Sequence, residues 1–437
     1  MYPLRPLKTY ALDRVYDDER CVARMERILG AIGESPGAVV RITDENLPET
    51  VAELGALWPP ESVPDGLVRS FMRPLVFTTM DLGYDRRDLT PLLERCDPET
   101  SASLVRPIYG HMTTAIDQHP HHLDRRNNCV CWPTYNFGTV TGCSHGCLYC
   151  GAGREGKFLA IALNLEEYME RVVRPVIEAN PWNKVFRMIL SGADLISLEP
   201  EYGLHDIFSR TLAEYEDRWG HFHTTSSNTA WLADLPHRDR LVGVWSVTCE
   251  AVARDIETGT GRAIDRIEGA RTCQELGIPV RYKFKPIIPV RNWREEYARI
   301  IEEMFKRTRP ESVGFCLYIW NDYETMINTI GPDVLDPACL EAAREAREEM
   351  KGARTGPFPY ELRREIYRFF IREVRRWDED VPLYVCTETR EMWDELKDEL
   401  GQDPRRYLCG CSSVAAPGGS LALSGGFRYS TYNPTPV

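Results

Sequence analysis

The sequence predicts a protein of the α/β class whose core is a parallel barrel. From about Tyr135 onward, apolar segments of strand length alternate with amphipathic helices, a pattern typical of parallel sheets with right-handed crossovers. A cysteine-rich loop, Cys143 to Cys150, follows the first strand of this pattern. Parallel barrels carry their chemistry at the carboxyl ends of the strands, so we expect the loop to lie at that end.

The pattern divides the chain into a leader (1–130), a core (131–330) and a C-terminal appendage (331–437). The leader shows one amphipathic helix, at 17–30, and punctuated loops. The core is predicted to have strands at 185–190, 221–225, 241–247, 280–284 and 313–318 and helices at 165–178, 204–215, 263–276 and 293–305. The appendage is predicted to have helices at 337–350, 360–377 and 391–400 and a strand at 382–386.

Charge and hydropathy restrict the function classes. The formal net charge is −13, from 53 basic and 66 acidic residues, whereas duplex DNA binding depends on phosphate neutralisation by Lys and Arg. No apolar run is long enough to span a bilayer, and the N-terminus lacks the apolar core of a signal peptide. We therefore expect a cytoplasmic protein whose 14 cysteines stay reduced and favour metal binding over disulfides.

The stretch from Gly142 to Cys150 has the spacing C-x3-C-x2-C. Three such thiolates, Cys143, Cys147 and Cys150, can hold three irons of a [4Fe-4S] cluster and leave the fourth iron open. The open iron suits the amino and carboxylate groups of S-adenosylmethionine, whose reductive cleavage gives a 5′-deoxyadenosyl radical that abstracts hydrogen from a substrate. A zinc knuckle is the alternative, but residues 151–154 offer no fourth ligand and His145 would serve only with cramped geometry.

This loop, with Tyr149 just before its third cysteine, looks like the signature of the radical S-adenosylmethionine superfamily. Within that superfamily, the core resembles the spore photoproduct lyase family. The likeness rests on residues 141–150, on Trp245-Ser246-Val247 with Glu257-Thr258-Gly259-Thr260 and Arg266-Ile267-Glu268, and on Pro286-Ile287-Ile288 with Trp293-Arg294-Glu295-Glu296-Tyr297. The resemblance implies a partial (β/α)6 TIM-type barrel, reductive cleavage of S-adenosylmethionine, and an electron donor such as flavodoxin or ferredoxin.

Three positions depart from the lyases that repair DNA. Those lyases place a cysteine hydrogen donor just after the second core strand, where this sequence has Ser191, and an alcohol is a far poorer hydrogen donor to a carbon radical than a thiol. They also carry a tyrosine directly after the third cluster cysteine, here Gly151, and a lysine after the third strand, here Thr225. We infer that the cofactor machinery is kept while the substrate chemistry has changed.

Small and hydroxyl residues at the predicted strand ends are candidates to bind S-adenosylmethionine. Ser246 stands at the position that the family resemblance assigns, and the others follow from their place after a strand. These candidates are Ser191, Gly192, Thr225, Ser226 and Ser246, with Tyr149 expected to contact the adenine.

Two C-x-C pairs, Cys129/Cys131 and Cys409/Cys411, flank the core, and Cys386 ends a short predicted strand. In a protein that already carries one cluster, these cysteines favour an auxiliary [4Fe-4S] cluster used for electron transfer or sulfur insertion. We expect the chain end to fold back over the catalytic mouth of the barrel, with Cys129 or Cys131 as the fourth ligand. The alternative is a set of buried, inert thiols.

The strand Arg281-Tyr282-Lys283-Phe284-Lys285 alternates basic and aromatic side chains. The aromatic face should pack against helices and the basic face should point into the barrel. Buried cations need anionic partners, either internal carboxylates or substrate groups such as phosphates. Lys285, nearest the catalytic end, with Lys283 behind it, is the expected substrate contact.

Together these features predict a radical S-adenosylmethionine enzyme that abstracts hydrogen from an anionic small molecule, a nucleotide or a sugar phosphate. Neither nucleic acid nor a membrane is among the expected partners. Two alternatives remain open: repair of damaged nucleic acid of the spore photoproduct lyase type, and a non-catalytic metal-binding scaffold.

Overall fold

A computed structural model describes residues 4–65, 67–83, 86–98, 101–112, 115–118, 129–132, 134–154, 156–188 and 193–423. Its strands, numbered along the chain, are β1 (Thr9–Leu12), β2 (Val40–Ile42), β3 (Leu75–Thr78), β4 (Ala115–Gln118), β5 (Thr134–Phe137), β6 (Val140–Thr141), β7 (Leu159–Ala162), β8 (Val185–Met188), β9 (Trp219–Thr224), β10 (Leu241–Val247), β11 (Val280–Ile287), β12 (Val313–Leu317), β13 (Leu383–Val385), β14 (Ala415–Ala416) and β15 (Ser420–Leu421).

The α-helices span Glu19–Ile32, Leu47–Leu57, Thr90–Leu93, Ser101–Ile108, Gly151–Arg154, Leu165–Tyr168, Arg174–Ala179, Leu204–Ala213, Glu250–Asp255, Ala263–Glu275, Trp293–Arg307, Tyr323–Ile330, Pro337–Glu345, Tyr360–Arg375 and Arg390–Leu400. A π-helical turn, Met169–Val173, joins two of them into one stretch over 165–179. Each helix and strand predicted for the core and the appendage is present within a few residues of its expected bounds. None of the helices in the described residues is long and apolar enough to cross a membrane.

The chain folds as two compact units that do not follow the leader, core and appendage order. Unit 1 comprises Met1–Ile116, Asn136–Asn180 and Met188–Glu214, and unit 2 comprises Asp117–Tyr135, Pro181–Arg187 and Tyr215–Val437. Unit 1 contains a sheet in the order β2-β1-β3-β7-β6, in which only the β6–β7 pair is antiparallel. Strands β1 and β3 show no alternation in the sequence, because all their residues are buried and a strand covered on both faces has no polar side.

Unit 2 contains the parallel sheet that the strand–helix alternation predicts. Strands β8 to β13 lie side by side in chain order, each parallel to the next. The same sheet continues past β8 with β5 and β4. Each of these two strands has residues in both units. Helices separate β10 from β11, β11 from β12 and β12 from β13, as crossovers between parallel strands require.

The two faces of this sheet in unit 2 differ in chemistry. On one face Phe284 packs against the rings of Tyr297 and Phe370, at centroid distances of 6.1 and 5.2 Å. The opposite, inner face carries the basic side chains of β11, of which Lys283 is paired in register with Ser246 of β10. As predicted, the aromatic side chains of β11 therefore face the helices and its basic side chains face inward.

The C-terminal segment covers part of this inner face. The guanidinium of Arg281 donates hydrogen bonds to the carbonyls of Ala415 (2.9 Å) and Ala416 (3.0 Å) and pairs with Glu311 at 2.8 Å. The backbone N–H of Val185 donates to the carbonyl of Ser413 at 2.8 Å. These contacts lie where β8 and β11 begin. The described part of the tail therefore covers the amino-terminal end of the inner face, where its carbonyls bind the buried Arg281, and not the catalytic mouth that the sequence predicted.

Candidate functional site

The cysteine loop in unit 1 follows β6 and is tightly folded. Cys143 and Cys147 are buried and Cys150 is partly exposed. The backbone N–H of Cys150 donates to the carbonyl of Cys147 at 3.1 Å, and the N–H of His145 donates to the Cys143 sulfur at 3.4 Å. An N–H aimed at sulfur is the kind of contact that tunes thiolate ligands of iron–sulfur clusters.

Two glycines allow the loop to pack this closely. Gly142 has a φ of +89°, and a Cβ there would lie 2.4 Å from the carbonyl oxygen of Phe158. A Cβ on Gly153 would lie 2.9 Å from the backbone nitrogen of Cys147. A side chain at either position would push the cysteines out of place.

Arg73 binds the backbone of the cysteine loop, a role that no sequence motif indicates. Its buried guanidinium donates to four carbonyls of the loop region, those of Cys143, His145, Gly153 and Gly156. Trp58 covers the guanidinium, 4.8 Å from its ring centroid. Arg73 lies next to β3, far from the cysteines in sequence, so no local motif marks it.

The electrostatics of the loop suit an anionic iron–sulfur cluster. Burial raises the pKa of the Cys143 thiol to about 11, although the backbone N–H groups of His145 and Asp194 oppose that rise. Burial lowers the pKa of Arg73, and all three cysteines act to raise it. A buried cation facing three thiols provides charge compensation for a metal-bound thiolate set. Cys143, Cys147 and Cys150 therefore fit a [4Fe-4S] cluster.

Among the described residues, no three His, Cys, Asp or Glu side chains converge as ligands of a single metal ion. This holds for the cysteine loop as well. A [4Fe-4S] cluster binds each thiolate through a different iron, so its ligands need not meet at one point.

The candidate contacts to S-adenosylmethionine stay predictions. Ser191 and Gly192 lie outside the described residues, and Tyr149 is partly exposed in the cysteine loop. In unit 2, Thr225 and Ser246 are partly exposed, whereas Ser226 is fully buried. The Ser226 hydroxyl accepts the Asn228 N–H at 2.9 Å, so that hydroxyl has a local structural role.

The motif around Glu257 and Arg266 shapes the end of β10. The two side chains form a fully buried ion pair at 2.7 Å, and Arg266 donates to the carbonyl of Ser246 at 3.2 Å. Arg266 also donates to the carbonyl of Gly261 at 2.9 Å. This pair therefore fixes the strand end on which Ser246 stands.

A second group of cysteines lies on the inner face of unit 2. The ammonium of Lys283 contacts the Cys411 sulfur at 2.8 Å, and that of Lys285 lies 3.9 Å from the Cys386 sulfur. Burial raises the pKa of Cys131, and the charges of Cys411 and Cys386 add to that rise. The structure therefore brings together Cys131, Cys386 and Cys411 from three distant parts of the chain.

Two pairs of thiols on this face share hydrogen bonds: Cys409 with Cys411, and Cys316 with Cys386. The hydrogen bond from Cys409, and then the Lys283 ammonium, hold the pKa of Cys411 well below its usual value. The hydrogen bond from Cys316, and then the Lys285 ammonium, do the same for the pKa of Cys386. In each pair the partner thiol, Cys409 or Cys316, has a raised pKa, mainly because it is buried. Each pair therefore favours one thiolate, at Cys411 and at Cys386.

The loop after β13 positions Cys131. The backbone N–H of Val130 donates to the carbonyl of Glu388 at 2.8 Å, and Cys129 forms a bridge with Thr389. The Cys129 sulfur is directed to the carbonyl of Thr387, at 3.6 Å. Glu388 itself is buried and paired with Arg363 at 2.7 Å.

An exposed tryptophan follows β12, at the carboxyl end of the sheet. Trp320 is 60% exposed and has a φ of +66°. Lys285 lies over its ring at 5.0 Å and Arg354 at 5.9 Å, both measured to the centroid. A positive φ at a non-glycine residue and cations near an exposed ring are both features that occur at binding sites.

Residues 131–320 match the family model described as "Spore photoproduct lyase". A mutant of that enzyme with bound AdoMet and dinucleoside spore photoproduct has a similar fold, with a TM-score of 0.58 at 15% identity over 89% of this chain and 100% of that one. The lyase complexed with dinucleoside spore photoproduct has a TM-score of 0.58 at 15% identity, covering 88% and 98%. A further mutant of the lyase reaches 0.60 at 15% identity, covering 89% and 100%. No curated protein sequence matches this chain.

The partial barrel that the sequence predicts is confirmed by this likeness of fold. The match of residues 131–320 to the family model, together with the three-cysteine loop, indicates a radical S-adenosylmethionine enzyme, whose cofactors are a [4Fe-4S] cluster and S-adenosylmethionine. Residues 131–320 therefore resemble the spore photoproduct lyase family, and the resemblance stated from the sequence is confirmed over that range.

Proposed function

We propose that this enzyme acts on a nucleoside-containing substrate by chemistry of the spore photoproduct lyase type. The family match over 131–320 is the observation that carries this proposal. Relatives of the same fold bind a dinucleoside spore photoproduct. These findings support the repair alternative better than the free nucleotide or sugar phosphate that the sequence analysis preferred.

The cysteine loop supplies the cofactor end of this proposal. Cys143, Cys147 and Cys150 would hold the cluster, and Arg73 keeps their loop folded through four carbonyls. When bound, the cluster and S-adenosylmethionine supply a 5′-deoxyadenosyl radical. The chain's own task is then to place a substrate C–H bond near that radical and to exclude water from it.

In unit 2, the residues around Trp320 are candidates to bind a substrate. Trp320 offers an exposed ring on which a nucleobase can stack, a contact that single-stranded nucleic acids use without regard to sequence. Lys285 and Arg354, both near the ring, can contact a phosphate. A dinucleotide, with two bases and one phosphate linkage, matches this combination better than a dinucleoside without phosphate.

A free anionic small molecule is the second candidate, and Ser191 favours it. The repair lyases return hydrogen to the substrate radical from a thiol at the matching position, whereas this chain has a hydroxyl there. A repair reaction here needs its hydrogen from another group. A small-molecule reaction that ends in oxidation does not need that donor.

The test incubates the anaerobically reconstituted full chain with reductant, S-adenosylmethionine and a synthetic dinucleoside spore photoproduct. We expect 5′-deoxyadenosine and thymidine dinucleoside to form together. Formation of 5′-deoxyadenosine without any change in the dinucleoside, alongside turnover of a nucleotide or sugar phosphate, would transfer the proposal to the second candidate. No cleavage of S-adenosylmethionine at all would support the scaffold alternative.

The same assay tests the mouth of unit 2. Trp320→Ala removes the stacking surface and should raise KM for the dinucleoside about tenfold while kcat stays within a factor of two or so. Trp377→Ala is the matched control, because Trp377 is the other exposed tryptophan among the described residues, 45% exposed after Tyr360–Arg375. Equal KM values for the two variants would remove Trp320 from the substrate site.

A further inference from the structure

We propose that Cys131, Cys386, Cys409 and Cys411 ligate a second [4Fe-4S] cluster on the inner face of unit 2. This inference does not depend on the proposed substrate. It makes a choice that the sequence left open, since Cys129 and Cys131 were equal candidates for the fourth ligand.

The four cysteines lie near the two lysines of one strand. The Lys283 ammonium contacts the Cys411 sulfur at 2.8 Å, and the Lys285 ammonium lies 3.9 Å from the Cys386 sulfur. Cys409 and Cys411 share a hydrogen bond, and the charges of Cys386 and Cys411 both act on Cys131. The ring of Tyr407 is within electrostatic range of Cys131 and of all three C-terminal cysteines. Four cysteines are the usual ligand set of a closed [4Fe-4S] cluster.

The cations at this place require an anion. Lys283 is 1% exposed, and its ammonium donates to the Cys411 sulfur. Within the described part of the chain, neither Lys283 nor Lys285 has a carboxylate in ion-pair distance; the sulfurs of Cys411 and Cys386 are their partners. A buried ammonium is stable only beside negative charge, and cluster-bound thiolates provide it permanently.

A buried histidine near Cys411 has ring nitrogens that a cluster could engage. His221 on β9 is fully buried, and both of its ring nitrogens are without a hydrogen-bond partner among the residues that the structure describes. It lies within electrostatic range of Cys411. An imidazole N–H can donate to a cluster sulfide or thiolate, which would satisfy a group that is otherwise costly to bury.

Two glycines leave space for Cys409 and Cys411 beside β11. Gly410, between Cys409 and Cys411, packs so closely that a Cβ would lie 2.6 Å from the Tyr384 hydroxyl and 3.3 Å from the Cε atom of Lys283. Tyr384 in turn lies over Gly314 of the next strand, where a Cβ would meet its ring at 2.2 Å. Two glycines therefore let the tail place both cysteines beside Lys283.

The proposed ligands Cys131 and Cys386 differ in their contacts from the neighbouring Cys129 and Cys316. The charges of Cys386 and Cys411 act on Cys131, whereas the Cys129 sulfur is directed to the Thr387 carbonyl at 3.6 Å. Cys316 on β12 is fully buried and donates its hydrogen bond to Cys386. We therefore assign Cys316 as a positioning residue that orients Cys386, and Cys129 as part of the backbone bridge to Thr389.

The test measures iron, sulfide and zinc in the anaerobically reconstituted full chain, with electron paramagnetic resonance of the reduced protein. Wild type should hold about eight irons per chain, from two clusters. Cys409→Ala/Cys411→Ala and Cys131→Ala should each hold about four. Cys129→Ala, the matched control, should stay near eight.

A second variant keeps the proposal falsifiable if those proteins fold poorly. Changing Cys143, Cys147 and Cys150 to Ala leaves unit 2 intact and should retain about four irons with a reduced-cluster signal of its own. About four irons in wild type and none in this triple variant would overturn the proposal. So would one zinc per chain lost from Cys409→Ala/Cys411→Ala, or equal iron loss from Cys129→Ala and Cys131→Ala.

Discussion

Arg73 shows how a single residue can decide whether a metal loop is preformed. The loop has carbonyls turned inward that no helix or strand satisfies, and one guanidinium binds four of them. Arginine suits this task because its five N–H donors are fixed in one plane and its charge persists when buried. Lysine has a single nitrogen and cannot reach the same set.

Arg73→Lys should therefore loosen the loop and lower the iron retained in it. Each lost bond to a charged donor removes about 1.5–3 kcal/mol, so we expect cluster loss during desalting to be at least severalfold faster than in wild type. Loss of the visible absorbance under chelator measures it. Arg24→Lys is the control, because Arg24 is equally buried and donates to the carbonyls of Tyr202 and Leu163 elsewhere in unit 1. Equal rates in both variants would show that Arg73 stabilises only the fold.

The sequence predicts residues whose chemistry is local and misses those that act across the fold. The spacing of Cys143, Cys147 and Cys150 is a local signal, and it was sufficient to predict the cluster. Arg73 and His221 have no such signal, because each acquires its role only when β3 or β9 is packed. The choice between Cys129 and Cys131 likewise depends on the bridge to Thr389, a contact across more than half of the chain.

At the scale of elements, the short loop after β13 determines where two chain segments meet. Glu388 accepts hydrogen bonds from Arg363 at 2.7 Å and Tyr367 at 3.0 Å, and its carbonyl accepts the Val130 N–H. The helix Tyr360–Arg375 thereby fixes the loop, and the loop fixes the segment that contains Cys131. Periodicity predicted this helix and β13, but it contains no information about a buried pair between them.

Glu388→Gln should be strongly destabilising, because it leaves Arg363 buried without its countercharge. Breaking one side of a buried pair costs about 3–5 kcal/mol, so urea unfolding should show a loss of that order in the free energy of unfolding. Glu395→Gln, which removes a partner of Arg364 on the surface of the same helix, should change little. A small, equal change in both variants would mean that backbone contacts alone hold the loop.

The net charge of the whole molecule disfavours binding of long nucleic acids. A net charge of −13 repels the phosphates of a duplex over distances of about a Debye length, near 8–10 Å at physiological salt. Lys285 and Arg354 beside Trp320 are a small basic group within this acidic surface. A short, single-stranded or free substrate therefore suits the charge distribution better than a duplex.

Binding of a fluorescent 20-base-pair duplex should accordingly be weak, with a Kd no tighter than about 10⁻⁴ M at physiological salt. Two cations at the site predict a slope of log K against log salt of about −2. Fluorescence anisotropy over a salt series measures both quantities, with an isolated dinucleotide as the competing ligand. Lys285→Met should reduce the slope by about one and leave the fold unchanged. A slope near −6 with micromolar affinity would instead reveal an extended basic surface, and duplex DNA would then replace the free dinucleoside as the expected substrate form.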